Sequence, residues 1–182
     1  MESVYGLILA IVLILAGFSA GCISDDTPAP VARSVAQPGV LIQAIGDITG
    51  QGIILQGVPR GTIDTITFTI GLAPGVKTAD LNGTIIAYAD SVRTEIITPV
   101  EGYRGDPPPG YWGIIDSINE MGSRNIRLDY EEQFIIRINP KAPVVPNQVI
   151  TISVKPKGGK ALMMRCVAPS TITETDNILP GL

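Results

Sequence analysis

The chain has 182 residues, with 13 Lys and Arg against 17 Asp and Glu for a net charge of −4, no histidine and two cysteines. It lacks the basic run that draws nucleic acid by counterion release; without histidine it also lacks the usual general base near neutral pH and the commonest metal ligand. The length suits one domain plus one further element, and neither nucleic-acid binding, catalysis, a cofactor nor a metal centre is expected.

Residues 4–21, VYGLILAIVLILAGFSAG, carry no charge, and a run of about 18 apolar residues is long enough to cross a bilayer as a helix. Apolar side chains occupy every side of the helical projection, so the predicted helix needs lipid or other helices all round it. The flank Met1-Glu2-Ser3 lacks the basic region of a secretory signal, and the apolar block exceeds the usual signal core. Glu2 has two readings: a carboxylate at the positive end of the helix macrodipole that also pairs with a neighbouring copy's amino terminus, or a solvated flank residue. Ser19-Ala20-Gly21-Cys22 resembles a lipobox, although Ser19 stands where a large aliphatic is preferred and no basic residue precedes the block. The competing reading makes Cys22 a small apolar residue packed among helices. Gly17-Phe18-Ser19-Ala20-Gly21 spells a nucleophile elbow, but it lies inside the apolar run and no histidine exists to activate Ser19.

Asp25-Asp26-Thr27-Pro28-Ala29-Pro30 ends the helical pattern. Beyond it the period falls to two. Ile66, Phe68 and Ile70 alternate with threonines; Phe134, Ile136 and Ile138 alternate with Ile135 and Arg137; Ile150, Ile152 and Val154 alternate with Thr151, Ser153 and Lys155. Further strands are predicted at 40–45, 52–56, 84–88, 94–98, 112–116 and 162–167, divided by Pro, Gly and Asn punctuation. The expected fold class is α+β: a long N-terminal apolar helix followed by an antiparallel β-sandwich of Ig-like or Greek-key type. The expected division is a helix over 1–27, a Pro-rich linker over 28–38 and the β-sandwich over 39–182.

Four features of the β-region invite a functional reading. Asn82-Gly83-Thr84 is the chain's single N-glycosylation sequon, and Asn-Gly is equally a hairpin turn. Cys166 alternates with Leu162 and Met164 toward one face, which favours a buried, unreactive thiol; a bond to Cys22 stays open. The acidic groups Asp25-Asp26, Asp129 with Glu131-Glu132, and Glu174 with Asp176 lack the spacing of a calcium loop and read as wet surface. The segment 101–111, EGYRGDPPPGY, reads as a stiff surface or subunit-contact loop, and its Arg-Gly-Asp is too short to count as an adhesion motif.

An acidic residue ahead of a long uncharged helix, followed by a β-rich domain, resembles the type IV pilin superfamily, and within it the archaellins, the archaeal flagellins. Residues 66–90, ITFTIGLAPGVKTADLNGTIIAYAD, are similar to the family's Thr-rich strand, Ala-Pro-Gly turn, Asp-Leu pair and strand ending in Tyr-x-Asp. Residues 151–172, TISVKPKGGKALMMRCVAPSTI, are similar to its penultimate hairpin. In that family a peptidase removes a short basic leader and the apolar helices bundle as a filament core, so Met1 is compatible with a mature N-terminus. The resemblance implies a homopolymeric helical filament at the extracellular surface, inserted in the membrane before assembly and turned by the archaellum membrane motor complex. It casts Glu2, Leu7, Leu9, Ile11, Leu13, Leu15 and Phe18 as assembly contacts and Asn82 as a glycosylation site. Two alternatives stand beside it: an adhesion-type archaeal pilin, and a membrane-anchored β-sandwich binding protein such as an archaellum stator component or a lipoprotein.

Overall fold

The computed structural model describes residues 39–54, 56, 60–120 and 124–182. The apolar segment with Glu2, Leu7, Leu9, Ile11, Leu13, Leu15, Phe18 and Cys22 lies outside the described residues. Within them the chain forms β1 (Ile42–Ile53), β2 (Thr62–Leu72), β3 (Ala79–Asp80), β4 (Ile85–Ala89), β5 (Thr94–Arg104), β6 (Tyr111–Ile118), β7 (Arg127–Leu128), β8 (Gln133–Asn139), β9 (Val149–Lys155), β10 (Leu162–Val167) and β11 (Asp176–Leu179).

The period-two pattern becomes the core through register. Ile66, Phe68 and Ile70 of β2 pair with Ile138, Ile136 and Phe134 of β8. All six are at most 1% exposed. On the other side Ile86 and Tyr88 of β4 pair with Val154 and Ile152 of β9, again fully buried. Each such aliphatic or aromatic side chain contributes about 1.5–3 kcal/mol by leaving water. The intervening Thr65, Thr67 and Thr69 face outward and are only half-buried.

The α+β sandwich expectation is corrected in three respects. First, no helix occurs among the described residues. Second, one nine-stranded sheet replaces two facing sheets, in the order β10-β9-β4-β5-β6-β8-β2-β1-β11, with β3 and β7 pairing separately. The predicted strands 40–45 and 52–56 overlap the two ends of one long β1, whose ladder with β2 is interrupted between Ile45 and Thr49. Such a bulge bends and twists a strand, so β1 coils round the core where two short strands would have belonged to separate layers. Third, the sheet is mixed, because β5 and β6 run parallel. Adjacent parallel strands ordinarily need a crossover of a dozen or more residues, usually helical; here the return lies flat on the sheet. Gly105 N donates to Ile114 O at 3.0 Å, and a Cβ at Gly113 would sit 2.2 Å from the Gly105 oxygen. Only glycine fits at 113.

The last residues close the sheet on itself. β11 pairs with β1, and beyond it Val167 N donates to Pro180 O at 3.1 Å while Leu182 N donates to Arg165 O at 3.0 Å. The C-terminal segment thereby stitches β10 to the far edge, which leaves a barrel-like domain. Lys160 N donates to Gly39 O at 3.0 Å, so the β9–β10 turn stands at the end of the barrel where the chain leads into β1.

Candidate functional site

The sequon occupies a tight turn whose geometry follows from its residue types. Asp80 Oδ1 accepts the Asn82 N–H at 2.8 Å, the side-chain-to-backbone bond that makes Asx residues turn formers. Thr84 N donates to Leu81 O at 3.0 Å, and Gly83 takes φ +73°, where glycine meets no steric cost. From the β5 end, Tyr103 reaches over the turn: its hydroxyl accepts the Gly83 N–H at 3.1 Å and donates to Asn82 Oδ1 at 3.2 Å. Tyr103 itself adopts φ 63°, and its ring stands edge-on to the buried Trp112 with centroids 5.6 Å apart.

Asn82 is exposed, while Thr84 is 5% exposed and its hydroxyl has no hydrogen-bond partner. The two sequon residues that matter for transfer are therefore treated oppositely by the fold. The amide faces water; the hydroxyl does not. Sequence reasoning placed the turn and missed the Tyr103 clasp, for which no local signal exists.

A second cluster follows β4. Tyr88, fully buried, donates its hydroxyl to Asp90 Oδ2 at 3.1 Å. Asp90 Oδ1 accepts the N–H groups of Val92 at 2.8 Å and Arg93 at 2.9 Å. Arg93 spans the turn and donates to Ala142 O at 2.6 Å, with its guanidinium 5.4 Å from the Tyr88 ring centroid. Its Nε lies 3.2 Å from Asp90 Oδ2 as an ion pair without hydrogen-bond alignment. Burial acts to raise the Asp90 carboxyl, but the Val92 and Arg93 N–H groups, the Tyr88 hydroxyl and the Arg93 charge outweigh it and hold the group below its ordinary value. Burial above all pushes the Tyr88 phenol upward. The Tyr-x-Asp sequence pattern thus has a structural meaning: it ties a buried strand to the turn after it.

Both charged ends of the Arg-Gly-Asp tripeptide are paired within the domain, although Asp106 stays exposed. Arg104 pairs with Glu120, donates to Asn125 O at 2.8 Å, and stacks 5.4 Å from the Phe134 ring centroid. Glu120 also accepts the Ser117 hydroxyl, which together with Arg104 outweighs burial and lowers its carboxyl. Asp106 pairs with Arg137 across the sheet. The 101–111 loop is largely exposed, with Pro107 and Gly110 buried beneath it.

The acidic groups divide: Asp129 and Glu132 are tied into the fold, Glu131, Glu174 and Asp176 are exposed, and Asp25 and Asp26 lie outside the described residues. Asp129 pairs with Arg127 at 3.2 Å, and its N–H is accepted by the buried Glu132 at 2.9 Å. No three potential ligands gather into a metal site among the described residues. Cys166 is a free thiol among the described residues, fully buried, and burial pushes it up to about 12.

No protein-family model matches the sequence, and no curated protein does. Solved structures do match. The crystal structure of archaeal flagellin FlaB1 from Methanocaldococcus jannaschii superposes with a TM-score of 0.56 at 13% identity, covering 76% of this chain and 96% of that one. The archaeal flagellum of Methanospirillum hungatei strain JF1 gives 0.50 at 13% identity, covering 76% and 70%. The archaellum periplasmic stator protein FlaG from Sulfolobus acidocaldarius gives 0.41 at 17% identity, covering 56% of this chain. The first two likenesses show a shared β-domain fold.

Proposed function

We propose that this chain is a structural subunit of an archaeal surface filament of the archaellum type and carries out no chemistry. The observation that carries the reading is the fold shared with archaeal flagellin FlaB1 over 96% of that chain. The uncharged run of residues 4–21, joined to such a domain, supports it.

The mechanism is assembly. Before polymerisation the apolar segment resides in lipid; on addition to the filament it exchanges lipid for the same segments of neighbouring copies. Both surrounds are apolar, so the gain comes from close packing and from polar pairing at Glu2 rather than from new hydrophobic transfer. Leu7, Leu9, Ile11, Leu13, Leu15 and Phe18 make the packing contacts, the β-domains face outward, and the polymer is turned by the membrane motor complex. Asn82 is the glycan acceptor on the outer surface.

Two measurements test this. Shearing cells and identifying the released protein should recover the chain in abundance as filaments visible by electron microscopy; retention in the membrane at low copy number would refute the reading. Ile11→Glu should abolish filaments while leaving the β-domain folded by circular dichroism, and wild-type filament yield from that variant would count against the assembly role of the segment.

A further inference from the structure

Charge is segregated along the chain. From residue 133 to residue 173 there are six cations, Arg137, Lys141, Lys155, Lys157, Lys160 and Arg165, and no acid. From residue 95 to residue 132 there are eight acids, Glu95, Glu101, Asp106, Asp116, Glu120, Asp129, Glu131 and Glu132, against three arginines. The fold sets Lys155, Lys157, Lys160 and Arg165 apart on one hairpin, while Arg137 lies on β8 and Lys141 just after it. In the closed order of strands, the β9–β10 hairpin stands opposite β6 and β8.

Lys155, Lys157, Lys160 and Arg165 are all exposed on or beside that hairpin, and none forms an ion pair among the described residues. On the far side Asp116 of β6 and Glu131, just ahead of β8, are exposed and equally unpaired. Both sides also show apolar surface: Met163 of β10 is 56% exposed and Tyr130 is 74% exposed. An interface of this kind, apolar at its centre with charge around it, is ordinary for protein contacts.

The two sides also lie toward the same end of the barrel. Lys160 bonds to Gly39, where the chain leads into β1. From the start of β1, the Cα-partner row Gln43, Gly71, Gln133 and Ile118 crosses β2 and β8 to the end of β6. Copies standing side by side with that end facing the same way therefore bring the cationic hairpin of one to the acidic flank of the next. A two-fold contact through either side would instead oppose like charges. A head-to-tail contact that does not close on itself is what generates a helical polymer.

We infer that the β9–β10 hairpin of one copy docks on the Asp116 and Glu131 flank of a second copy, and that this heterologous contact aligns the outer domains in the filament. The inference rests on the filament reading above. It assigns the occupant by charge complementarity between two unpaired surfaces of opposite sign toward the same end of the barrel.

The test uses the full chain. Lys155→Glu with Lys157→Glu should lower filament yield by roughly tenfold or more for each weakened contact, as should Asp116→Lys with Glu131→Lys. Combining all four changes in one chain should restore yield, because the interface is then reversed on both sides. Filaments at wild-type level from either pair, or no recovery in the combination, overturn the contact. A zero-length carbodiimide adds a readout independent of yield. Applied to the wild-type chain, in filaments or in membrane extracts, it should join a peptide holding Lys155, Lys157 or Lys160 to one holding Asp116 or Glu131. Mixing copies labelled with light and heavy nitrogen distinguishes a link between copies from one within a copy, and the absence of a mixed-label link overturns the inference even if filaments form. A wild-type chain that forms no filaments but gives the link refutes the polymer reading and leaves the contact standing.

Discussion

Thr84 offers a substitution with opposite effects on folding and on modification. Its hydroxyl is buried without a partner, and such a group costs about 1–3 kcal/mol relative to a satisfied or apolar one. Thr84→Val replaces the hydroxyl with a methyl of similar size in the same rotameric frame. The unmodified chain should therefore gain about 1–2 kcal/mol of stability, equivalent to a rise of about 2–8 °C in Tm for a domain of this size. In the native host the same variant should carry no glycan at Asn82, since the acceptor motif requires Ser or Thr at its third position. Thr84→Ser is the complementary control: it keeps the motif but removes a buried methyl, lowering stability by about 1 kcal/mol. Thermal and urea unfolding of unmodified protein reads the first effect, and intact mass reads the second. A Thr84→Val chain less stable than wild type by about 1 kcal/mol would refute the reasoning, because it would mean that the hydroxyl is satisfied in the folded domain. The burial also fixes an order of events: the folded, unmodified chain should be a poor glycan acceptor and the unfolded chain a good one.

Three further outcomes follow from the geometry. Deleting residues 180–182 removes both hydrogen bonds that stitch β10 to the far edge, and should cost about 1–3 kcal/mol in urea unfolding with faster hydrogen exchange at Val167; unchanged exchange there would argue against closure. The Asp90 carboxyl is held below its ordinary value in the folded state, so its contribution is present above the usual carboxylate range and is lost as pH falls through the folded value. The urea midpoint of wild type should fall below about pH 4 more steeply than that of Asp90→Asn, and parallel pH profiles would refute this. Cys166, buried and pushed up to about 12, should resist iodoacetamide at pH 8 in the native chain and react fully once unfolded, with peptide mass spectrometry separating it from Cys22; native labelling at Cys166 would contradict its burial.

Much of the β-domain was legible in the sequence because side-chain alternation is a local property. The runs at Ile66, Phe134 and Ile150 each became strands with the expected face buried, and Cys166 points inward with Leu162 and Met164 as its spacing implied. The sequon turn was legible for the same reason, since Asn-Gly and the preceding Asp80 act within a few residues. β11 escaped notice: its buried Asn177 and Leu179 make a pattern too short to stand out, and the strand exists through its pairing with β1.

The partner of each strand was not legible. Period two says which face of a strand is buried and is silent about whether that face meets a second sheet or the far side of the same one. The sandwich expectation failed there: the bulge in β1, the parallel β5–β6 pair and the C-terminal stitch all depend on hydrogen bonds between distant residues. Tyr103 and Asn82 meet across 21 residues, and the cationic and acidic sides become opposite surfaces through sheet order. By itself the sequence determined the apolar segment, the strand-rich domain, the turn at Asn82 and the segregation of charge, because each is a matter of neighbours along the chain. The tertiary structure decided the closed barrel, the shielding of Thr84 and the two faces offered to other copies, because each is a matter of neighbours in space.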